Sequence, residues 1–258
     1  MSGVTFDIEG GIAQITLNRP TFKNAIDQGV IDGLERAIDD IDQRDGLRGV
    51  LVTGEGQDAF CSGGDLKWLA ELKNPADGAR MSTRMQGVLH ALSKLPIPVV
   101  AVLNGYALGG GAELALACDF RVFEQHSFMS FKQTQVGLTT GWSGGWRLVD
   151  LLGYSRALEL AMTGEKVSAA RAYELGLCNR IADQGEGMRI GLDFLARMNR
   201  GALTANVATK RLFQKATRSS LEDNMRLENQ LFETLWGAPD HREALEAFKQ
   251  KRRPAFQS

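Results

Sequence analysis

A glycine triplet between a buried strand and a helix constrains this chain more than any other feature. Residues 97–103 are an apolar run, and Asn104-Gly105-Tyr106-Ala107-Leu108-Gly109-Gly110-Gly111 carries it into Ala112-Glu113-Leu114-Ala115-Leu116-Ala117. Such a run reads as a buried strand, and the segment after the glycines reads as a helix with one carboxylate, Glu113, in its first turn. Glycines let the backbone approach a ligand closely and turn its N–H groups outward, while the helix adds the positive end of its dipole. The combination suits a developing negative charge, either a phosphate or an oxyanion. The triplet does not extend to G-x-G-x-x-G, and no G-x-x-x-x-G-K-[ST] occurs in the chain, so dinucleotide and P-loop readings have no motif behind them. Glycines before a helix also serve tight packing, and this stretch alone leaves that role open.

Two further glycine-rich turns follow strands in the same way. Residues 49–54 read as a short buried strand opening into Glu55-Gly56-Gln57-Asp58-Ala59-Phe60-Cys61-Ser62-Gly63-Gly64-Asp65-Leu66, where Asp65 is placed to cap a helix; residues 136–148 form the third turn into a helix. Ahead of them, residues 4–9 and 12–17 alternate around Gly10-Gly11 as a hairpin, and Asp27 caps a helix with Val30, Ile31, Leu34, Ile38 and Ile41 on one face. Asn74-Pro75-Ala76-Asp77-Gly78 breaks the helical pattern, so the next helix is expected over 79–95; strands are expected over 120–123 and 127–131. Helices then dominate, over 155–162, 168–175, 188–199, 203–216 and 220–236, with a strand at 177–181. The pattern predicts an α/β core over residues 1–200 and a helical region over 201–258, in one continuous domain.

Composition narrows the function classes. With 258 residues, 43% hydrophobic and 24% charged, the chain is that of a soluble globular protein long enough to bury a substantial core. A net charge of −1 gives no field favouring nucleic acid or an anionic membrane, and neither is expected as a partner. Cys61, Cys118 and Cys178 are odd in number and far apart, which suits a reducing, cytoplasmic compartment rather than a disulfide framework. The N-terminal residues show no basic and apolar leader pattern, and no run reaches the length of a membrane span. His90, His126 and His241 are isolated from one another, so neither a metal site nor a triad is expected. Lys249-Gln250-Lys251-Arg252-Arg253 reads as a solvated tail, and Trp146 as packing in a core or interface.

Asn18-Arg19-Pro20 with Asn24-Ala25-Ile26, the run from Ala59 through Leu66, the glycine triplet with Ala112-Glu113-Leu114, then Glu159-Leu160-Ala161-Met162-Thr163-Gly164 and Ala172-Tyr173-Glu174-Leu175-Gly176-Leu177 together resemble the crotonase (enoyl-CoA hydratase/isomerase) family. The resemblance covers nearly the whole chain. It implies a crotonase-like spiral of ββα units with a C-terminal helical region for oligomerisation, as a homotrimer or a hexamer built as a dimer of trimers. It also implies an acyl-CoA thioester as substrate, coenzyme A being part of the substrate and no separate cofactor being required. By the same resemblance the N–H groups of Gly64 and Gly110 hold the thioester oxygen and Glu113 is the catalytic carboxylate. Ala25, Phe60, Ser62, Gly63, Asp65 and Leu66, with Gln133, Thr140 and Trp142, receive the substrate.

The departures bear on the reaction. Hydration requires a water between a base and an acid, and the family's hydratases use two glutamates. Glu113 matches the first, but Gln133 stands where the second would be, and no Asp or Glu occurs between residues 125 and 149. An amide holds water without exchanging its proton. Thr140 stands where many members carry Pro and Ser143 where they carry Gly, so the floor of the acyl pocket differs as well. Loss of CO₂ from a malonyl-type thioester asks less, because it generates the enolate directly. The tryptophan in Gly141-Trp142-Ser143 and the segment Leu235-Trp236-Gly237-Ala238-Pro239 resemble the ethylmalonyl-CoA decarboxylase branch. Decarboxylation of a short branched malonyl-CoA is therefore expected, with hydration or isomerisation of an enoyl-CoA as the alternative, and a non-catalytic acyl-CoA binding protein as the alternative of another class. Glu113 is expected to orient water or relay a proton to the enolate carbon; a capping carboxylate with no chemistry would occupy the same position.

Overall fold

The computed structural model describes residues 3–216 and 219–257. A hairpin of β1 (Val4–Glu9) and β2 (Ile12–Leu17) leads into α1 (Gln28–Asp42), whose buried stripe contains all five apolar residues expected on one face. Asp27 accepts the Val30 N–H as its cap. Three turns of the chain then repeat one order: a strand in one sheet, a short strand in a second sheet, and a helix. The first is β3 (Gly49–Gly54), β4 (Ala59–Cys61), α2 (Leu66–Leu69) and α3 (Pro75–Lys94). The second is β5 (Val99–Leu103), β6 (Tyr106–Leu108) and α4 (Gly110–Ala117), and the third is β7 (Phe120–Glu124), β8 (Phe128–Ser130) and α5 (Gly144–Leu152). After them come α6 (Tyr154–Thr163), β9 (Val167–Ser168), α7 (Ala169–Leu175), β10 (Arg180–Ala182), α8 (Gly187–Met198), α9 (Leu203–Ala216), α10 (Leu221–Leu235) and α11 (Pro239–Lys249).

The larger sheet runs β1-β2-β3-β5-β7-β10 and the smaller β4-β6-β8-β9. Apart from the hairpin and the β8–β9 pair, every pairing is parallel. Parallel strands covered on both faces lose the alternation of a half-exposed strand, and β3 and β5 are buried at every residue. The helix α4 is buried from Gly111 to Ala117, Glu113 included, so one carboxylate is carried into the interior on an otherwise apolar helix. The chain falls into two compact units, one running to Leu95 and over Val99–Asp193, the other Pro96–Pro98 with Phe194–Ser258. The division lies inside α8. Among the described residues no helix is long and apolar enough to cross a membrane.

Several elements differ from their sequence expectation for local reasons. Helix α3 begins at Pro75 rather than at 79, because Asn74 caps the Asp77 N–H and proline at the first helical position needs no acceptor for the N–H it lacks. Strands β4 and β6 hide within the glycine turns, each three residues long and too short to carry a period. The expected strand at 177–181 is β10, displaced to Arg180–Ala182. Helix α11, opened by Pro239, had no counterpart in the expectation. Residues 249–253, expected as a solvated tail, are all exposed, but the chain from Arg252 onward is tied to α11. The Arg252 guanidinium grips both carboxylate oxygens of Glu243 at 2.5 and 3.0 Å, and the Ala255 and Gln257 N–H groups donate to Glu243 and Asp240.

Asn104 joins the ends of β3 and β5. Its amide donates to the carbonyls of Gly54 (2.8 Å) and Gly56 (2.7 Å), while its oxygen accepts from Thr53 Oγ1 and the Gly54 N–H (both 3.2 Å). Both chains are thereby turned into the second sheet side by side.

Asn104→Ala leaves several buried polar groups unpaired and is expected to destabilise the fold by about 3 kcal/mol, read from the urea midpoint and slope. The Arg252 guanidinium and the Ala255 N–H hold the Glu243 carboxyl down at about 2. A depressed acid contributes stability above its unfolded value, and this contribution disappears as pH falls from the usual carboxylate range toward 2. The protection of the Ala255 amide relative to its intrinsic exchange rate is expected to fall across that window, and in Arg252→Gln to be low already at pH 7.

Candidate active site

The β4–α2 and β6–α4 turns meet because β4 and β6 are parallel neighbours, and ligand sites in α/β sheets form beyond the carboxyl ends of such strands. Gly63 has φ +97°, and a Cβ there would stand 2.9 Å from the Leu108 carbonyl oxygen and 3.3 Å from the Gly110 nitrogen, so the turns touch at glycine. The direction of the Gly64 N–H follows from its neighbours. Ile26 donates to the Gly63 carbonyl and accepts from the Asp65 N–H, both at 2.8 Å, and since successive N–H groups of extended chain alternate, that of Gly64 points the other way. Gly110 opens α4, where an N–H has no acceptor within its own helix. Among the described residues neither N–H has a protein acceptor. Gly64 and Gly110 line one cavity of about 880 Å³.

Glu113 lies one turn into α4 and is 2% exposed, a burial that a carboxylate tolerates only with donors around it. It has four. Oε2 accepts the Trp142 N–H at 2.8 Å and the Gly144 N–H at 2.7 Å, while Oε1 accepts Gln133 Nε2 at 2.8 Å and the Gly141 N–H at 3.3 Å. The third glycine turn is thus wrapped around this side chain. The carboxylate fixes the Gln133 amide with its nitrogen inward, and Gln133 Oε1 is left buried without a partner. Ser143, where a glycine would be unstrained, holds φ +72° within the turn.

Trp142 is 5% exposed, and its six-membered ring packs so closely on Gly110 that a Cβ there would stand 2.0 Å from a ring carbon. Its indole N–H donates to Met81 Sδ at 3.2 Å. Helix α3 supports the turn from outside: Ser82 Oγ and Gln86 Nε2 donate to the Gly141 carbonyl at 2.6 and 2.9 Å. Thr140 lines the cavity, with its Oγ1 turned against Gly145.

Arg19 organises the other wall. It donates to the Ala25 carbonyl at 2.7 Å and pairs with Asp65 at 2.9 Å and Asp27 at 3.0 Å. Asp65 also caps α2 by accepting the N–H groups of Lys67 and Trp68. Burial pushes the Asp65 carboxyl up, but Arg19 and the two backbone donors prevail and it lies below the usual carboxylate range.

Ala25, Ser62, Gly63, Asp65 and Leu66 line the cavity together with Gln133, Thr140 and Trp142. Phe60 does not. Its side chain is fully buried in β4, a strand buried at all three residues. Trp146 is not core either: it is 42% exposed, with the Arg147 guanidinium 4.5 Å from its ring centre. Burial raises the neighbouring Cys61 thiol to about 12 despite the Gly63 N–H it accepts, so it is no nucleophile at neutral pH. Sequence reasoning missed Phe22, Leu69, Met81, Ser82, Gln86 and Lys132, which also line the cavity. The polar pair Ser82 and Gln86, four residues apart and off the buried stripe of Met85, Val88, Leu89 and Leu92, was the available signal for α3.

The family model for enoyl-CoA hydratase/isomerase matches residues 7–258. Among curated relatives, an ethylmalonyl-CoA decarboxylase of Xenopus laevis is 35% identical, covering 92% of this chain and 80% of its own. A putative enoyl-CoA hydratase/isomerase of Bacillus subtilis is 34% identical, covering 95% and 94%. Among solved structures, an enoyl-CoA hydratase from Polaromonas sp. JS666 superposes with a TM-score of 0.93 at 30% identity, over 98% of this chain and 99% of that one.

Gly110→Ala drives a methyl group into the Trp142 ring and is expected to shift tryptophan emission and near-UV circular dichroism while far-UV circular dichroism is retained. Unchanged near-UV signals would mean that the ring does not rest on Gly110.

Proposed function

The chain belongs to the enoyl-CoA hydratase/isomerase family, the crotonases, and is an acyl-CoA enzyme, and from that premise we propose that it decarboxylates a short malonyl-type thioester such as ethylmalonyl-CoA or methylmalonyl-CoA. The thioester oxygen accepts the N–H groups of Gly64 and Gly110. The bond from Cα to the carboxylate breaks, its electron pair becomes the enolate, and CO₂ leaves uncharged. The charge gathered on the oxygen is held by two preorganised donors, each worth roughly 3 kcal/mol in such sites. A proton delivered by water to Cα then completes the acyl-CoA product.

The observation that carries this reading is Gln133 Nε2 donating to Glu113 Oε1 at 2.8 Å, an amide where hydration would need an acid. The other carboxylate of the cavity wall, Asp65, is paired with Arg19. With four donors on its two oxygens, Glu113 would have to release one before moving a proton, so we assign it to positioning the third turn. The identity to an ethylmalonyl-CoA decarboxylase supports the same choice. Two N–H groups without protein acceptors, on glycines that line one cavity, weigh against a purely binding role. A homotrimer, alone or paired as a hexamer, in the cytoplasm completes the proposal; the exposed Tyr154, Met162 and Tyr173 suit a subunit contact.

A thioester panel followed by mass spectrometry tests the reaction. Ethylmalonyl-CoA is expected to yield butyryl-CoA and CO₂, with crotonyl-CoA hydrated at least a hundredfold more slowly. Hydration of crotonyl-CoA without CO₂ release from any malonyl-type thioester would reject the proposal, and binding without turnover would favour the non-catalytic reading.

A further inference from the structure

The cavity wall against Gly110 is short of free hydrogen-bond donors because its own structure uses them. Three opportunities to bind an anion, the N–H groups of Gly141, Trp142 and Gly144, all point at Glu113. The Gln133 amide directs its nitrogen to the same carboxylate and keeps an unpartnered oxygen. The Trp142 indole N–H goes to Met81 Sδ, a weak acceptor, and the hydroxyl of Ser82 and amide of Gln86 go to the Gly141 carbonyl. Lys132, also on the cavity, donates to the Gly164 carbonyl at 2.6 Å. What packs directly on Gly110 is the carbon surface of an indole ring, with the unpartnered Gln133 oxygen on the same cavity.

Resting on the decarboxylation reading, we infer that Trp142, with its N–H withdrawn by Met81, forms a donor-poor wall that leaves the substrate's carboxylate unsolvated and so drives its loss as CO₂. A thioester oxygen held by Gly64 and Gly110 places Cα and its substituents against whatever covers Gly110, and that cover is the indole. A carboxylate there gives up water and gains no hydrogen bond, whereas uncharged CO₂ loses nothing on the same surface. Meanwhile the thioester oxygen keeps its two donors, so the departing electron pair moves from an unsupported anion to a supported one. Met81 acts as a positioning residue: it touches no reacting atom and determines where the indole N–H points.

Met81→Leu removes the sulfur acceptor and frees the indole N–H. Kinetics with ethylmalonyl-CoA, beside inhibition by butyryl-CoA, which differs only in lacking the carboxylate, read the consequence. The substituted enzyme is expected to show kcat and KM both lowered by about tenfold, the scale of one hydrogen bond to a charged group, with the butyryl-CoA inhibition constant unchanged. Adding Trp142→Phe, which deletes the freed donor, should return KM toward its original value. A fall in kcat with KM and the inhibition constant rising together would mean that Met81 only packs, and unchanged constants would mean that the indole N–H is irrelevant; either overturns the inference. Failure of the unsubstituted enzyme to release CO₂ would instead sink the decarboxylation reading on which the inference rests.

Discussion

A single carboxylate inside an apolar helix governs this site. Glu113 is enclosed on α4, and the cost of burying its charge is offset only because the third glycine turn brings three backbone N–H groups and an amide to it. The dependence runs both ways. A segment from residue 137 to residue 143 that contains no strand or helix of its own gains fixed coordinates from the carboxylate. The indole that covers Gly110 stands where it does because the backbone N–H of Trp142 is one of those donors. Removing the acid would therefore displace a wall as well as a charge.

Topology explains why these parts meet. Each ββα turn ends its second strand at the same edge of the smaller sheet, and β4, β6 and β8 are successive neighbours there. Residues 63 and 64, residues 109 and 110, and residues 137–144 are far apart in the chain yet adjacent at that edge. Short strands suffice for this, since the register of β3 against β5 and the Asn104 bridge fix where each turn begins.

Much of this was legible in the residues. The glycine turns, the cap at Asp65, the stripe of α1 and the absence of a second acid near Gln133 all follow from local chemistry that tertiary structure does not override. What escaped was non-local or too short. Three-residue strands such as Ala59–Cys61 carry no period, and so Phe60, taken for a substrate contact, proved to be buried in the core. Met81, Ser82 and Gln86 belong to a helix whose pattern declares its buried face; the polar pair off that face was legible, but not that it meets residue 141. Likewise three of the four partners of Glu113 lie some thirty residues onward, at backbone nitrogens that any sequence would possess. The Arg252–Glu243 clamp was hidden because a run of basic residues looks the same whether or not an acid waits nine positions earlier.

The Gly64 and Gly110 amides proposed to anchor the oxygen come from the first and second ββα turns, while the surface beside them comes from the third. An anchor and a wall carried by separate loops can diverge separately. A lineage starting from this scaffold could exchange residues around position 133 or 142, and with them the bond that breaks, without ever passing through a form that had lost its grip on the thioester.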